Sequence, residues 1–363
     1  MRILTMTPML LALAFAVGCD GDKPADDTSA TTESDTDTDT DADTDTDTDT
    51  DTDTDTDTDT DTATGGDTDT GQQSLPAPEG DPATVDLNGV CELIDKVGAF
   101  AVELQESYTS VYGSLSNGVI PVTVLEEGSA SGDCRLMKKE NPFCDPPCEG
   151  GETCNLDDEC IPYPETQDLG TVTIAGLVED VWMDPVSPGY SYFSTSLPHP
   201  GFAPDELIQL NTYGVAEATL HGVGFTPIVL GESEWIVTDG EPLTVTWETV
   251  EDAAQRAEVA LELNIDQHGI SPITVWCTFE DDGEGTVPAD LVTELIGAGV
   301  TGFPSGKLSR RTGDKVEVDA GCLDFLVTSP RTVNIDVTGY TPCIRDSDCP
   351  KGETCNKVLQ VCE

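Results

Sequence analysis

Two short stretches of the chain, CEGGETCNLDDEC from Cys148 to Cys160 and CPKGETCNKVLQVC from Cys349 to Cys362, repeat the core Gly-Glu-Thr-Cys-Asn. With the cysteine that leads into each, the sets are Cys144, Cys148, Cys154, Cys160 and Cys343, Cys349, Cys355, Cys362. Four thiols in a segment of about 20 residues leave no room for a hydrophobic core, so such a segment is held by crosslinks. Each disulfide contributes about 2–4 kcal/mol by restricting the unfolded chain. The rival is a tetrahedral zinc site, but structural zinc sites bring their ligands in close C-x2-C pairs, and neither copy has one. The copies are therefore expected to be metal-free, disulfide-rich knobs at 143–162 and 342–363.

The N-terminus says which compartment would oxidise them. Arg2 is followed by an apolar run from Met9 to Val17, too short to span a bilayer as a helix of about 20 residues, and it reads as the core of a secretory signal peptide. Ala16-Val17-Gly18-Cys19 resembles the lipobox of bacterial lipoproteins, although Ala16 stands where leucine is commonest. The resemblance implies that residues 1–19 are a lipoprotein signal peptide and that Cys19 is acylated and becomes the mature N-terminus. The alternative is an ordinary signal peptide with a chance cysteine. The chain has 13 cysteines, so setting Cys19 aside leaves an even number, as an exported disulfide-bonded protein requires. Outside the knobs, ITVWCTFE and DAGCLDFLVTS both read as strands, which pairs Cys277 with Cys322 and leaves Cys91 with Cys134 by subtraction.

From Asp35 to Thr62 aspartate alternates with threonine, broken only by Ala42. A strand needs an apolar face, and this run offers only threonine opposite a row of repelling charges. Residues 20–84 are thus expected to be a disordered tether, with an end-to-end distance of roughly 45 Å as a flexible chain and roughly 220 Å fully extended. The D-x-D-x-D pattern lacks the Gly and Glu of an EF-hand loop, so no resident calcium is expected there. The net charge is -56, and most of it lies beyond residue 74. An acidic folded region repels phosphate backbones, so nucleic acid is not an expected partner.

The remainder reads as mainly β. Candidate strands are TVTIAGLV at 171, YSYFST at 190, LIQLN at 207, PLTVTWE at 242, ITVWCTF at 273 and RTVNIDVTG at 331. In EDAAQRAEVALELNID, helix-forming residues compete with strict alternation from Ala257 to Ile265, and the alternation predicts a strand preceded by a loop or single turn at Glu251–Gln255. A short helix is expected in TVPADLVTELIGAG, capped by Thr286, with Pro288 at its first position. Three more strands are expected between Ala101 and Gly128. The resulting division is a small β region at 85–142, the first knob, a β-sandwich of immunoglobulin or fibronectin type at 166–340, and the C-terminal knob. PLTVTWE is similar to the tryptophan-bearing strand of such sandwiches.

The lipobox, the acidic spacer, CDPPCEGGETC, TVTIAGL, LTVTW and the tail CIRDSDCPKGETC together resemble a group of cysteine-rich surface lipoproteins of myxobacterial type, most without an assigned function. By analogy with small extracellular knobs, the first cysteine of each set joins the third and the second joins the fourth. No catalytic motif accompanies His199, His221 or His268. HGVGF at His221 has no nucleophile motif to serve, so its glycines read as turn or bulge positions. Asp281 and Asp282 would do glycosidase chemistry only at a suitable separation. Trp182, Tyr190, Tyr192 and Phe193 cluster as a candidate sugar-binding surface, with core packing as the competing role. The sequence thus points to a membrane-anchored exported lipoprotein, a non-enzymatic surface binding or structural module without a cofactor. Its partners are the membrane, through the lipid anchor, and an envelope glycan or protein; outer membrane or cell surface is favoured over inner membrane. The alternative is an exported hydrolase with an unrecognised active site.

Overall fold

The computed structural model describes residues 74–139, 142–250, 256–265 and 273–363. Cys19, the signal peptide, the Asp-Thr run, the Glu251–Gln255 turn and His268 lie outside the described residues. The chain is mainly β and built from β-sandwiches carrying two disulfide-rich knobs. In chain order the first strands are β1 (Lys96–Leu104), β2 (Thr109–Leu115), β3 (Glu126–Ser131) and β4 (Cys134–Lys138), followed by the first knob's β5 (Glu152–Cys154) and β6 (Cys160–Pro162). Next come β7 (Val172–Ala175), β8 (Val181–Met183), β9 (Tyr192–Ser194), β10 (Leu207–Thr212) and β11 (Ala218–Val223). Then follow β12 (Glu234–Val237), β13 (Leu243–Thr246), β14 (Glu258–Asn264), β15 (Ile273–Glu280), β16 (Glu284–Val287) and helix α1 (Ala289–Gly297). A long hairpin, β17 (Ser305–Val318) and β18 (Gly321–Val337), precedes the second knob's β19 (Cys355–Asn356) and β20 (Val361–Cys362).

One sheet carries ten strands in the order β3-β4-β15-β14-β17-β18-β1-β2-β9, with β12 also paired to β18. The hairpin is its spine: β18 pairs in parallel with β1 near its start and with β12 at its end. Each half of this sheet is covered by a different second layer. One half packs Phe100, Val102, Val111, Phe325 and Val327 against the four-stranded sheet β11-β10-β7-β8, which supplies Ile174, Ile208, Leu210 and Leu220. The other half packs Leu136, Leu261, Leu263, Val275 and Val333 against the β13-β16 pair and α1, through Val245, Val287, Leu291 and Leu295. Fully burying side chains of this size stabilises by roughly 1.5–3 kcal/mol each. Two sandwiches therefore share one sheet, and β1 to β4, read from sequence as part of a separate region at 85–142, are strands of that sheet.

Alternation prevailed over helix propensity in β14, where Val259, Leu261 and Leu263 are buried and their neighbours are not. Burying one face of a half-exposed strand outweighs the few tenths of a kcal/mol per residue in helix preference. The helix begins later than expected. Pro288 is the N-cap, without a side-chain cap bond, and Thr286 lies in β16, cross-strand from Thr244. Trp235, fully buried in β12, lies against β17 at Gly306, where a Cβ would sit 2.3 Å from the indole.

The stretch before β1 is docked on the folded unit, correcting a tether that ran to residue 84. Leu75 N donates to Asp180 Oδ2 at 2.7 Å and Glu79 N to Gln209 Oε1 at 2.8 Å. Arg256 Nη1 donates to the Pro82 and Val85 carbonyls, Val85 and Leu87 pack on Leu207 and Val223, and Asn88 binds Asp314. This strap ends at the Cys91–Cys322 disulfide.

The twelve cysteines among the described residues form six disulfides. The two outside the knobs join Cys91 to Cys322 and Cys134 to Cys277, which overturns the expected Cys277–Cys322 and Cys91–Cys134 pairs. Sheet order gives the reason: β4 is the neighbour of β15, with Cys134 directly opposite Cys277, whereas Cys322 opens β18 beside the residues that lead into β1. Within the knobs the bonds are Cys144–Cys154 and Cys148–Cys160, then Cys343–Cys355 and Cys349–Cys362.

Candidate functional site

Where the two sandwiches meet, β14 accompanies β17 only from Ser305 to Arg311. Beyond that point the edge of β17 turns its side chains to β11. Thr312 Oγ1 accepts from Val223 N at 3.1 Å and donates to Val223 O at 3.0 Å, and Asp314 Oδ2 accepts from His221 N at 2.9 Å. The change of partner opens a cleft of about 490 Å³. Its apolar wall is Val223, Phe225 and Phe279, and its polar wall is Arg256, Glu258, Thr278, Glu280, Asp281 and Asp282. Val250 and Arg256 border it on either side of 251–255, which lie outside the described residues.

Behind the cleft lies the most heavily bonded side chain of the sandwiches. Arg310 is fully buried, and its guanidinium is saturated: Nε donates to Asp281 Oδ2 at 2.6 Å and Nη2 to Asp281 Oδ1 at 3.0 Å and Glu248 O at 2.8 Å. Nη1 takes Thr226 O at 2.8 Å and Pro227 O at 3.3 Å. Asp281 Oδ1 also accepts the Trp247 indole N–H at 2.7 Å. A desolvated ion pair of this kind needs every lone pair and proton satisfied, and it ties β15, β17 and the loops at 226 and 248 together. Asp281, half of the carboxylate pair considered for glycosidase chemistry, thus holds the architecture. Asp282 is exposed, and its described contact is a long hydrogen bond from Glu284 N at 3.4 Å.

The other buried carboxylates are similarly occupied. Asp314 Oδ1 accepts from Asn88 and from Lys315 N. Asp324 accepts Cys91 N at 2.6 Å and pairs with Lys96 Nζ at 2.8 Å. Neither histidine among the described residues meets a usable nucleophile: His221 Nε2 is buried without a hydrogen-bond partner, and His199 Nδ1 is 3.3 Å from Thr109 Oγ1, but Thr109 is fully buried and accepts Gly201 N. The glycines after His221 are packing positions, since a Cβ on Gly222 would come within 2.4 Å of Val327 and on Gly224 within 2.0 Å of the Ala203 carbonyl oxygen.

The aromatic cluster read from sequence divides. Tyr192 is buried, its ring lies tilted 5.5 Å from that of Phe100, and its hydroxyl oxygen accepts from Leu169 N at 2.7 Å. Phe193 is 61% exposed on the opposite face of β9, cross-strand from Tyr112. Tyr112, unremarked in the sequence, donates to Glu103 Oε2 at 2.9 Å, and burial together with that carboxylate pushes its hydroxyl pKa well above the tyrosine range. Trp182 is partly exposed on β8, and Tyr190 adopts a left-handed φ of 41° before β9. The groups of cysteine sulfurs close enough to suggest a metal are the disulfides themselves.

No family model matches the chain, and no curated protein matches it. Among solved structures it is similar to a crystal structure of chicken CNTN1 FN1-FN3 domains, at 8% identity and a TM-score of 0.17, over 59% of this chain and 67% of that one. The fold class rests on the sheets described above.

Proposed function

We propose that the chain is an exported, lipid-anchored envelope protein that presents two fused β-sandwiches as a binding module. The observation that carries this reading is the cysteine inventory. Twelve cysteines close six disulfides, a pattern of oxidising compartments, and the thirteenth, Cys19, stands in the lipobox-like segment. Acylation would consume its thiol in a thioether and account for the odd total. Several acyl chains, each buried methylene contributing about 0.8 kcal/mol, anchor firmly where one chain is marginal.

The cleft between the sandwiches is the module's binding site in this reading. It is concave, of ligand-pocket size, and combines an apolar wall with a few polar groups, as small-molecule sites do. We read the module as non-enzymatic, because Asp314, Asp324 and Arg310, its buried charged groups, and Asp281, which pairs with Arg310, are engaged in holding strands together. The test is Cys19→Ala expressed in the native host, followed by detergent partitioning and membrane fractionation. The variant is expected in the soluble envelope fraction, still folded by circular dichroism. Retention in the membrane as firmly as the parent would refute the anchor.

A further inference from the structure

The charges around the cleft indicate what kind of ligand it takes. Resting on the reading of the cleft as a binding site, we propose that it holds an organic ammonium or guanidinium ion attached to an apolar body. Glu280 and Asp282 are both exposed on its rim, and no lysine or arginine among the described residues pairs with either. Most cations of the sandwiches are already engaged. Lys307 pairs with Glu262, Arg311 with Glu258, Arg310 with Asp281, Lys138 with Glu294, Arg135 with Glu127 and Lys96 with Asp324. Lys315 and Arg331 bind main-chain carbonyls, and Arg256, the cationic residue lining the cleft, directs Nη1 to the strap.

Val223, Phe225 and Phe279 give the same cleft an apolar lining without charge. A bare divalent cation would gain nothing from that lining and requires six or more convergent oxygens. An anionic ligand would meet Glu280 and Asp282 directly, and a neutral apolar one would leave them unused. An ammonium or guanidinium with a hydrocarbon or aromatic portion satisfies both at once, and the negative field of the whole protein raises its local concentration. A cleft of this size accommodates a small organic molecule.

The experiment uses the full chain carrying Cys19→Ala and isothermal titration calorimetry with three probes of matched shape: phenethylammonium, 2-phenylethanol and 3-phenylpropanoate. Phenethylammonium should bind at least tenfold more tightly than either of the others, and its affinity should fall as salt is raised. Glu280→Gln with Asp282→Asn should abolish that preference. Glu234→Gln with Asp336→Asn, which removes the same charge elsewhere, should leave it intact. Equal binding of the alcohol, displacement of the amine by calcium at equal affinity, or no binding of the amine would overturn the assignment. Because fractionation reports the anchor separately, any of these results beside normal Cys19-dependent anchoring would sink the cleft chemistry alone.

Discussion

Arg310 and Asp281 show how a buried charge can serve a fold whose surface is already crowded with charge. The guanidinium gathers three main-chain carbonyls and a carboxylate from segments far apart in sequence. Removing one member of such a pair leaves the other buried and uncompensated, at a cost of about 3–5 kcal/mol. Asp281→Ala should therefore lower the unfolding free energy by about that amount in urea titration, whereas Asp281→Leu combined with Arg310→Met should recover most of it. A single-variant loss below about 1 kcal/mol would show that the pair is not structural. The sequence could not separate Asp281 from Asp282. The two are adjacent, both acidic, and distinguished only by which one the turn after β15 aims inward. Trp247 and Phe193 were legible as aromatic positions, but not which ring would be buried.

At the scale of elements, period-two alternation identified β14, β-branched and aromatic residues identified β15, and turn residues bracketed β7, β10 and β13. The long hairpin was harder to read. KLSRRTGDKVEV in β17 looks like solvated chain, yet Ser309, Arg310, Thr312 and Asp314 are all buried there, because that strand is the seam between two sandwiches and its polar groups bind neighbouring main chain. The disulfides were misread for a different reason, since partner choice depended on a sheet order that no local pattern encodes. Cys91–Cys322 closes a separation of 231 residues and Cys349–Cys362 one of 13. Loop-closure entropy assigns the first about 5 kcal/mol and the second about 3. Removing Cys91–Cys322 as paired serines should lower the denaturation midpoint of the sandwiches. Removing Cys349–Cys362 should leave that midpoint in place and speed amide exchange only across 343–363. A knob variant that unfolds the sandwiches would contradict this division.

For the whole molecule, the cysteine count and the acidic excess were the features most legible in sequence, because each is compositional. The strap was not, since its residues carry no pattern beyond proline and aspartate and are fixed by contacts to strands 100 or more positions away. Its consequence is mechanical: a pull on the N-terminal segment reaches the strap first and then stops at the covalent Cys91–Cys322 bond, so the sheet is loaded through a disulfide. The proposed function joins an anchor at Cys19 to oxidised sandwiches and knobs in one surface protein. Mass spectrometry of the native, unreduced protein recovered from its own envelope tests that account most directly. The prediction is an N-terminal peptide that begins at Cys19 and carries diacylglycerol and acyl mass, with all twelve later cysteines recovered as the six crosslinked pairs described above. A mature chain that begins elsewhere, an unmodified Cys19, or free thiols among the twelve would contradict it.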